Sequence, residues 1–188
     1  DQLTKGIFDS NMDDVIMISD VDELPNLKTF NFSNVGDRVY AFSLSHSMYK
    51  LNLMRQVKWI GTKLCKSKNF KSPQWLRSLK VHKKYSFFRL DKLFSKTYYP
   101  NFKILENSGW HFGWLMKPEK IVEKINSYSH TEHNTPLNND INFIRESIDN
   151  QINFLDKNDI LTISDDIEKL PDYVKNNLEK FNEWIIKK

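Results

Sequence analysis

Asp13-Asp14-Val15-Ile16-Met17-Ile18-Ser19-Asp20-Val21-Asp22-Glu23-Leu24-Pro25 decides how the rest of the chain is read. Its apolar run, Val15 to Ile18, is short, β-branched and too uniform for a strand with one wet face. It predicts a strand packed on both faces in the sheet of an α/β protein. Side chains alternate along a strand, so Asp20 and Asp22 are expected to leave its end on one side and to grip one divalent cation together. The C-terminal edge of such a strand is where open α/β sheets bind ligands. A solvated acidic turn closing the strand is the competing reading of the same residues.

Composition bounds the problem. The 188 residues, 39% hydrophobic and 28% charged, suit one domain, 1–188, with its own core. No run of about 18 apolar residues is present, so no membrane-spanning helix is expected. The opening Asp1-Gln2-Leu3-Thr4 does not read as a cleavable leader. The single Cys65 excludes an internal disulfide and a cysteine zinc cluster, fits a reducing compartment, and reads as a small hydrophobe.

The net charge of +4 hides an asymmetry. Arg55 to Lys96 carries thirteen Lys or Arg and one acid, Asp91, interleaved with Trp59, Phe70, Trp75, Tyr85, Phe87 and Phe88. Such a mixture suits an anionic partner or a stacking site, and equally a layer of solvated lysines over buried rings.

Along the chain, Leu3 and Ile7 are spaced as a helix end within Gln2 to Phe8. Val39 to Leu44 and Met48 to Leu53 alternate around Ser45-His46-Ser47, which predicts a hairpin with one wet face. Ser72-Pro73 predicts a capped helix carrying Trp75, Leu76 and Leu79 to about Lys80. Strands are expected at Tyr85 to Leu90, Phe102 to Leu105 and Trp110 to Leu115, the last two separated by the turn signal Asn107-Ser108-Gly109. Helical spacing marks Pro118 onward with Ile121, Val122 and Ile125, then Asn139 to Ile152, then Pro171 to Ile186. Ser164, Asp165 and Asp166 echo the first acidic run and read as capping a short turn before that last helix.

Two further clusters carry chemistry-bearing groups. In Gly109-Trp110-His111-Phe112-Gly113-Trp114, glycines bracket large rings and would admit a ligand close to the backbone. Alternation puts Trp110, Phe112 and Trp114 on one face and His111 on the other; core packing is the competing reading for the rings. In His130-Thr131-Glu132-His133, an imidazole is available to a metal and a carboxylate to a proton. No dinucleotide loop, P-loop, nucleophile elbow or H-E-x-x-H pattern is present.

Together, Asp13 to Pro25, Gly109 to Trp114, and Lys120 through Ser127-Tyr128-Ser129-His130-Thr131-Glu132 resemble glycosyltransferase family 17, in the same order and with a similar tail at Leu170-Pro171-Asp172-Tyr173-Val174. That family contains the β-1,4-N-acetylglucosaminyltransferase that adds the bisecting residue to N-glycans. The resemblance implies a GT-A-like mixed sheet flanked by helices and transfer, with inversion, of a sugar from a UDP donor to a glycan or glycoprotein acceptor, N-acetylglucosamine being the expected sugar. It implies Mn²⁺ or Mg²⁺ on Asp20 and Asp22, with His130 as a third ligand. Glu132, with Glu23 behind it, is the expected base; Trp110, His111 and Trp114 line a sugar, and Lys63 or Arg89 meets phosphate.

The chain starts just before the metal-binding strand and shows nothing that corresponds to the nucleotide-binding strands of such a fold, so either the parent protein continues upstream or this is a remnant. With neither a Golgi anchor nor luminal disulfides in view, a cytoplasmic or viral setting is expected. A non-catalytic carbohydrate-binding module derived from such an enzyme is the alternative. A nucleic-acid binder ranks last, because phosphate neutralisation explains the lysines as well.

Overall fold

The computed structural model describes residues 5–80, 99, 101–127 and 131–187. In chain order the strands are β1 (Val15–Ile18), β2 (Glu23–Pro25), β3 (Val39–Met48), β4 (Leu53–Met54), β5 (Trp59–Lys66), β6 (Phe102–Leu105), β7 (Gly109–Gly113), β8 (Ile152–Asn153), β9 (Asp156–Ile160) and β10 (Thr162–Ile163). The α-helices are α1 (Pro73–Ser78), α2 (Pro118–Ser127), α3 (Ile141–Asp149) and α4 (Asp172–Lys175), with 3₁₀ turns between them. The fold is mixed α/β, with parallel and antiparallel strand pairs and helices packed on them. Two compact units are formed, one within Asp1–Leu44 and Trp59–Gly109, the other within Ser45–Lys58 and Trp110–Lys188.

In the first unit β1 pairs antiparallel with β5, β5 antiparallel with the first half of β3, and β3 parallel with β6. The expectation for β1 is half met. Val15 and Met17 pack on the cluster of Val35, Tyr40, Phe42, Leu44 and Leu64, while Ile18 packs on Val39, Cys65, Leu76 and Leu79, so both faces meet apolar side chains. Yet only Ile16 is fully buried, and the described partner runs antiparallel, because β5 returns along β1 rather than crossing over. Helix α1 forms where the sequence asks for it: the Ser72 hydroxyl accepts from the Trp75 N–H at 3.1 Å, Pro73 supplies a preset first turn, and Leu76 is buried.

In the second unit the last four residues of β3 run parallel to β7, Ser47 of β3 pairs antiparallel with Met54 of β4, and β4 pairs with β10. β8 and β9 form a separate hairpin. Helix α2 buries Ile121 and Ile125, and α3, capped by Asp140 on the Asn142 N–H, buries Ile144; all three join Met48, Tyr49, Leu53, Phe154 and Leu161 in one core.

Three sequence expectations need correction. Ser45-His46-Ser47 is no turn: β3 runs through it, and Ser43, His46 and Ser47 are buried within the strand. Their polar groups are tolerated because the backbone is paired and the side chains find local partners. The helix expected from Pro171 to Ile186 stops at Lys175 and resumes as a 3₁₀ turn, Leu178–Trp184, across Asn176-Asn177, where asparagine competes with the helix for backbone hydrogen bonds. Asp166 precedes the turn Ile167–Lys169 without a side-chain capping bond and instead pairs with Lys169. The Tyr85 to Leu90 strand and the first residues of the Gln2 to Phe8 helix lie outside the described residues.

Candidate functional site

β1 ends at Ile18, and Asp20-Val21-Asp22-Glu23 forms a tight turn closed by the Glu23 N–H donating to the Asp20 carbonyl at 3.1 Å. Strand alternation is therefore not what relates Asp20 to Asp22; a turn is. Ser19 fastens its entry, with its hydroxyl 2.7 Å from that of Thr62 on β5. Val21, at the turn's tip, is fully exposed.

Three charged neighbours define the electrostatics of this turn. Arg77, on α1, donates to Asp20 Oδ2 at 2.9 Å. Lys63, on β5, is only 7% exposed, and its ammonium donates to the Arg77 carbonyl at 2.9 Å. Burial holds the Lys63 ammonium below its usual value, and Arg77 adds to that, whereas Glu23 and Asp20 pull in the opposite sense. Glu23 accepts from Trp59 Nε1 at 2.6 Å through Oε1, and through Oε2 from Thr62 Oγ1 at 2.9 Å and the Asp20 N–H at 3.3 Å. The structure thus gathers Asp20, Glu23 and Lys63 of the expected set and adds Arg77, Trp59, Gly61 and Thr62.

Of these additions Trp59 was among the rings noted in the basic stretch, and Gly61 carries a signal that would have found it, an isolated glycine among β-formers, which marks close approach. The others depend on contacts between residues far apart along the chain.

Asp22 stands on the same turn in the first unit; the remaining expected site residues belong to the second unit, apart from Arg89 and His130, which lie outside the described residues. Trp110 is half-buried, and its indole N–H donates to the Lys169 carbonyl. His111 is buried against His46, ring centroids 4.3 Å apart, and Arg55 donates to His46 Nδ1 at 3.3 Å while its Nε pairs with Asp159. Trp114 packs edge-on to Phe154 at 5.1 Å, with the Lys124 ammonium over its ring at 4.7 Å. Phe112 joins Leu51, Leu170 and Val174. Core packing thus accounts for Phe112, His111 and Trp114, while Trp110 keeps one half-exposed face. Glu132 is exposed in the turn Thr131–His133.

The two glycines of this motif serve the chain itself. A Cβ at Gly109 would lie 2.4 Å from the Leu24 carbonyl oxygen, and one at Gly113 would lie 2.9 Å from His46 Nε2. The close approach read as room for a ligand is taken by protein atoms at both positions.

No group of three or more His, Cys, Asp or Glu side chains stands close enough to hold a metal ion among the described residues. Asp20 and Asp22 offer carboxylate oxygens on one short turn, the donor type that Mg²⁺ and Mn²⁺ take from a protein when water and a bound phosphate complete the sphere. The donor chemistry fits such a cation. No helix among the described residues is long and apolar enough to cross a membrane. No known protein family, curated protein or solved structure matches the chain.

Proposed function

We propose that this chain is a metal-dependent, inverting glycosyltransferase of GT-A type that moves a sugar, N-acetylglucosamine for choice, from a UDP donor to a glycan. One observation carries the reading: the acid pair Asp20 and Asp22 stands on a turn pinned to the sheet by Glu23, with two cationic side chains, Arg77 and Lys63, beside it. Carboxylates next to cations suit a ligand that brings both a metal and a diphosphate. The ordered resemblance of three segments to glycosyltransferase family 17 supports the same reading, and the mixed sheet is compatible with it.

Asp20 and Asp22 would hold the divalent cation, which when bound offsets the negative charge that develops on the departing diphosphate. Arg77 is placed to release Asp20 and turn to phosphate, since a guanidinium binds either anion by the same paired N–H groups. Glu132 is proposed as the base that takes the acceptor hydroxyl proton, and Trp110 as a stacking surface for a sugar ring, both on the resemblance.

The test is thermal unfolding with UDP and Mn²⁺, separately and together. At a hundred times its Kd a ligand stabilises by about 2.7 kcal/mol, which for a chain of this size raises Tm by roughly 5–10 °C. The full shift is expected with both present, Mn²⁺ alone giving a smaller one and UDP alone none, and is expected to vanish in Asp22→Ala, which exchanges one half-buried turn carboxylate for a methyl group and whose own Tm is recorded beside it. No shift, or the same shift in EDTA, overturns the reading. Glycan binding that survives EDTA without any response to UDP identifies a carbohydrate-binding module instead.

A further inference from the structure

We propose that Glu23 is a positioning residue, seated in a notch that Gly61 leaves open, and that this seating sets the turn on which Asp20 and Asp22 stand. The proposal rests on the reading of that turn as a cation site and assigns the group that shapes it. In sequence Glu23 follows the acid pair directly and is expected as a base behind Glu132. Its geometry says otherwise.

Both carboxylate oxygens are engaged, by three donors from two directions: Trp59 Nε1 and Thr62 Oγ1 on β5, and the backbone N–H of Asp20 at the head of the turn. A carboxylate so committed is geometrically spoken for, and turning it toward a metal or an acceptor hydroxyl would break three hydrogen bonds at once. The chain of hydroxyls extends further. With Thr62 donating to Glu23, the Ser19 hydroxyl donates to Thr62, so residues on both sides of the turn are tied to the same point of β5.

Gly61 is what permits this. A Cβ built there would stand 2.2 Å from Glu23 Oε1, 2.4 Å from Cδ and 2.8 Å from Oε2, so every other residue type at 61 displaces the carboxylate. Trp59 and Thr62 supply donors on either side of the gap, and Gly61 supplies the gap. Groups that orient metal ligands without touching the metal typically change metal affinity 10–100-fold when removed. Glu23 stands in that relation to Asp20, whose backbone it holds.

The experiment is Mn²⁺ titration of the full chain by isothermal calorimetry and by the free-ion EPR signal, with Tm recorded for each protein. Gly61→Ala and Glu23→Ala are each expected to weaken Mn²⁺ binding 10–100-fold. The double variant is expected to bind no more weakly than Glu23→Ala, because a methyl group at 61 has nothing left to displace. A purely structural role would lower Tm and leave the Mn²⁺ Kd alone, or let the two changes add. Thr62→Val removes one donor at constant volume, and is expected to weaken binding as well; it decides the matter if Gly61→Ala does not fold. Wild-type affinity in Gly61→Ala or in Thr62→Val, beside a wild type that does bind, overturns the role given to Glu23 alone. A wild-type chain that takes up no Mn²⁺ overturns the cation-site reading and this assignment together.

Discussion

Tyr49→Phe removes one oxygen from the core of the second unit, and the consequence can be worked from its two bonds. The phenol, 1% exposed, donates to the Ile152 carbonyl at 3.2 Å and accepts from the Phe154 N–H at 2.9 Å. Phenylalanine keeps the ring and its contact with Phe154, so no cavity opens, but a buried donor and a buried acceptor lose their partner. Each such group costs about 1–3 kcal/mol, and partial relaxation brings the pair to about 2–4 kcal/mol, or roughly 5–15 °C in Tm.

Burial also pushes the Tyr49 phenol above its ordinary ionisation value of 10.0. The sign follows: the folded state disfavours the phenolate, so Tyr49's contribution is whole below about pH 10 and is lost as pH rises beyond it. The stability gap between wild type and Tyr49→Phe should therefore narrow above pH 10, by at most about 1.4 kcal/mol per pH unit. Urea unfolding at pH 7, 9, 10.5 and 11, with amide exchange at Phe154, measures both effects. A gap under about 0.5 kcal/mol at pH 7, or one that stays constant to pH 11, refutes the reasoning.

Other consequences are read as directly. Cys65 is fully buried and its thiol is pushed up to about 11 by burial, so native protein at pH 8 should resist thiol reagents that label it stoichiometrically in denaturant; rapid native labelling would contradict its place on β5, beside β1 and packed with Leu76 of α1. Gly113→Ala sets a methyl group 2.9 Å from His46 Nε2 in a buried site and should cost about 1–3 kcal/mol, measured by urea unfolding, with no such penalty when combined with His46→Ala.

Much of the fold was legible where a local signal decided the local structure. Ser72-Pro73 starts α1, the helical spacing within Asn139 to Ile152 marks α3, and Ile121 with Ile125 gives α2 its buried stripe. The reading failed where a distant partner decided instead. Ser45-His46-Ser47 has the composition of a turn, but β7 pairs with it residue by residue and holds it extended. The acid pair was read from sequence as leaving a strand end together, and the structure replaces that alternation by a turn, the form the competing reading gave it. Its anchor was not legible, since Glu23 meets Trp59 and Thr62 across more than thirty residues. The tryptophan motif read as a ligand platform because rings and glycines look alike whether a sugar or the chain's own backbone fills the space.

The most direct test of the central claim is paramagnetic broadening of backbone amide signals by substoichiometric Mn²⁺ in the full chain. Asp20, Val21, Asp22 and Glu23 are predicted to broaden first, together with Thr62 behind them, and Asn substitutions at Asp20 and Asp22 are predicted to abolish the effect. Broadening that spares this turn and falls instead on exposed acids elsewhere, such as Asp165 and Asp166, or that is unchanged by the substitutions, would contradict the account.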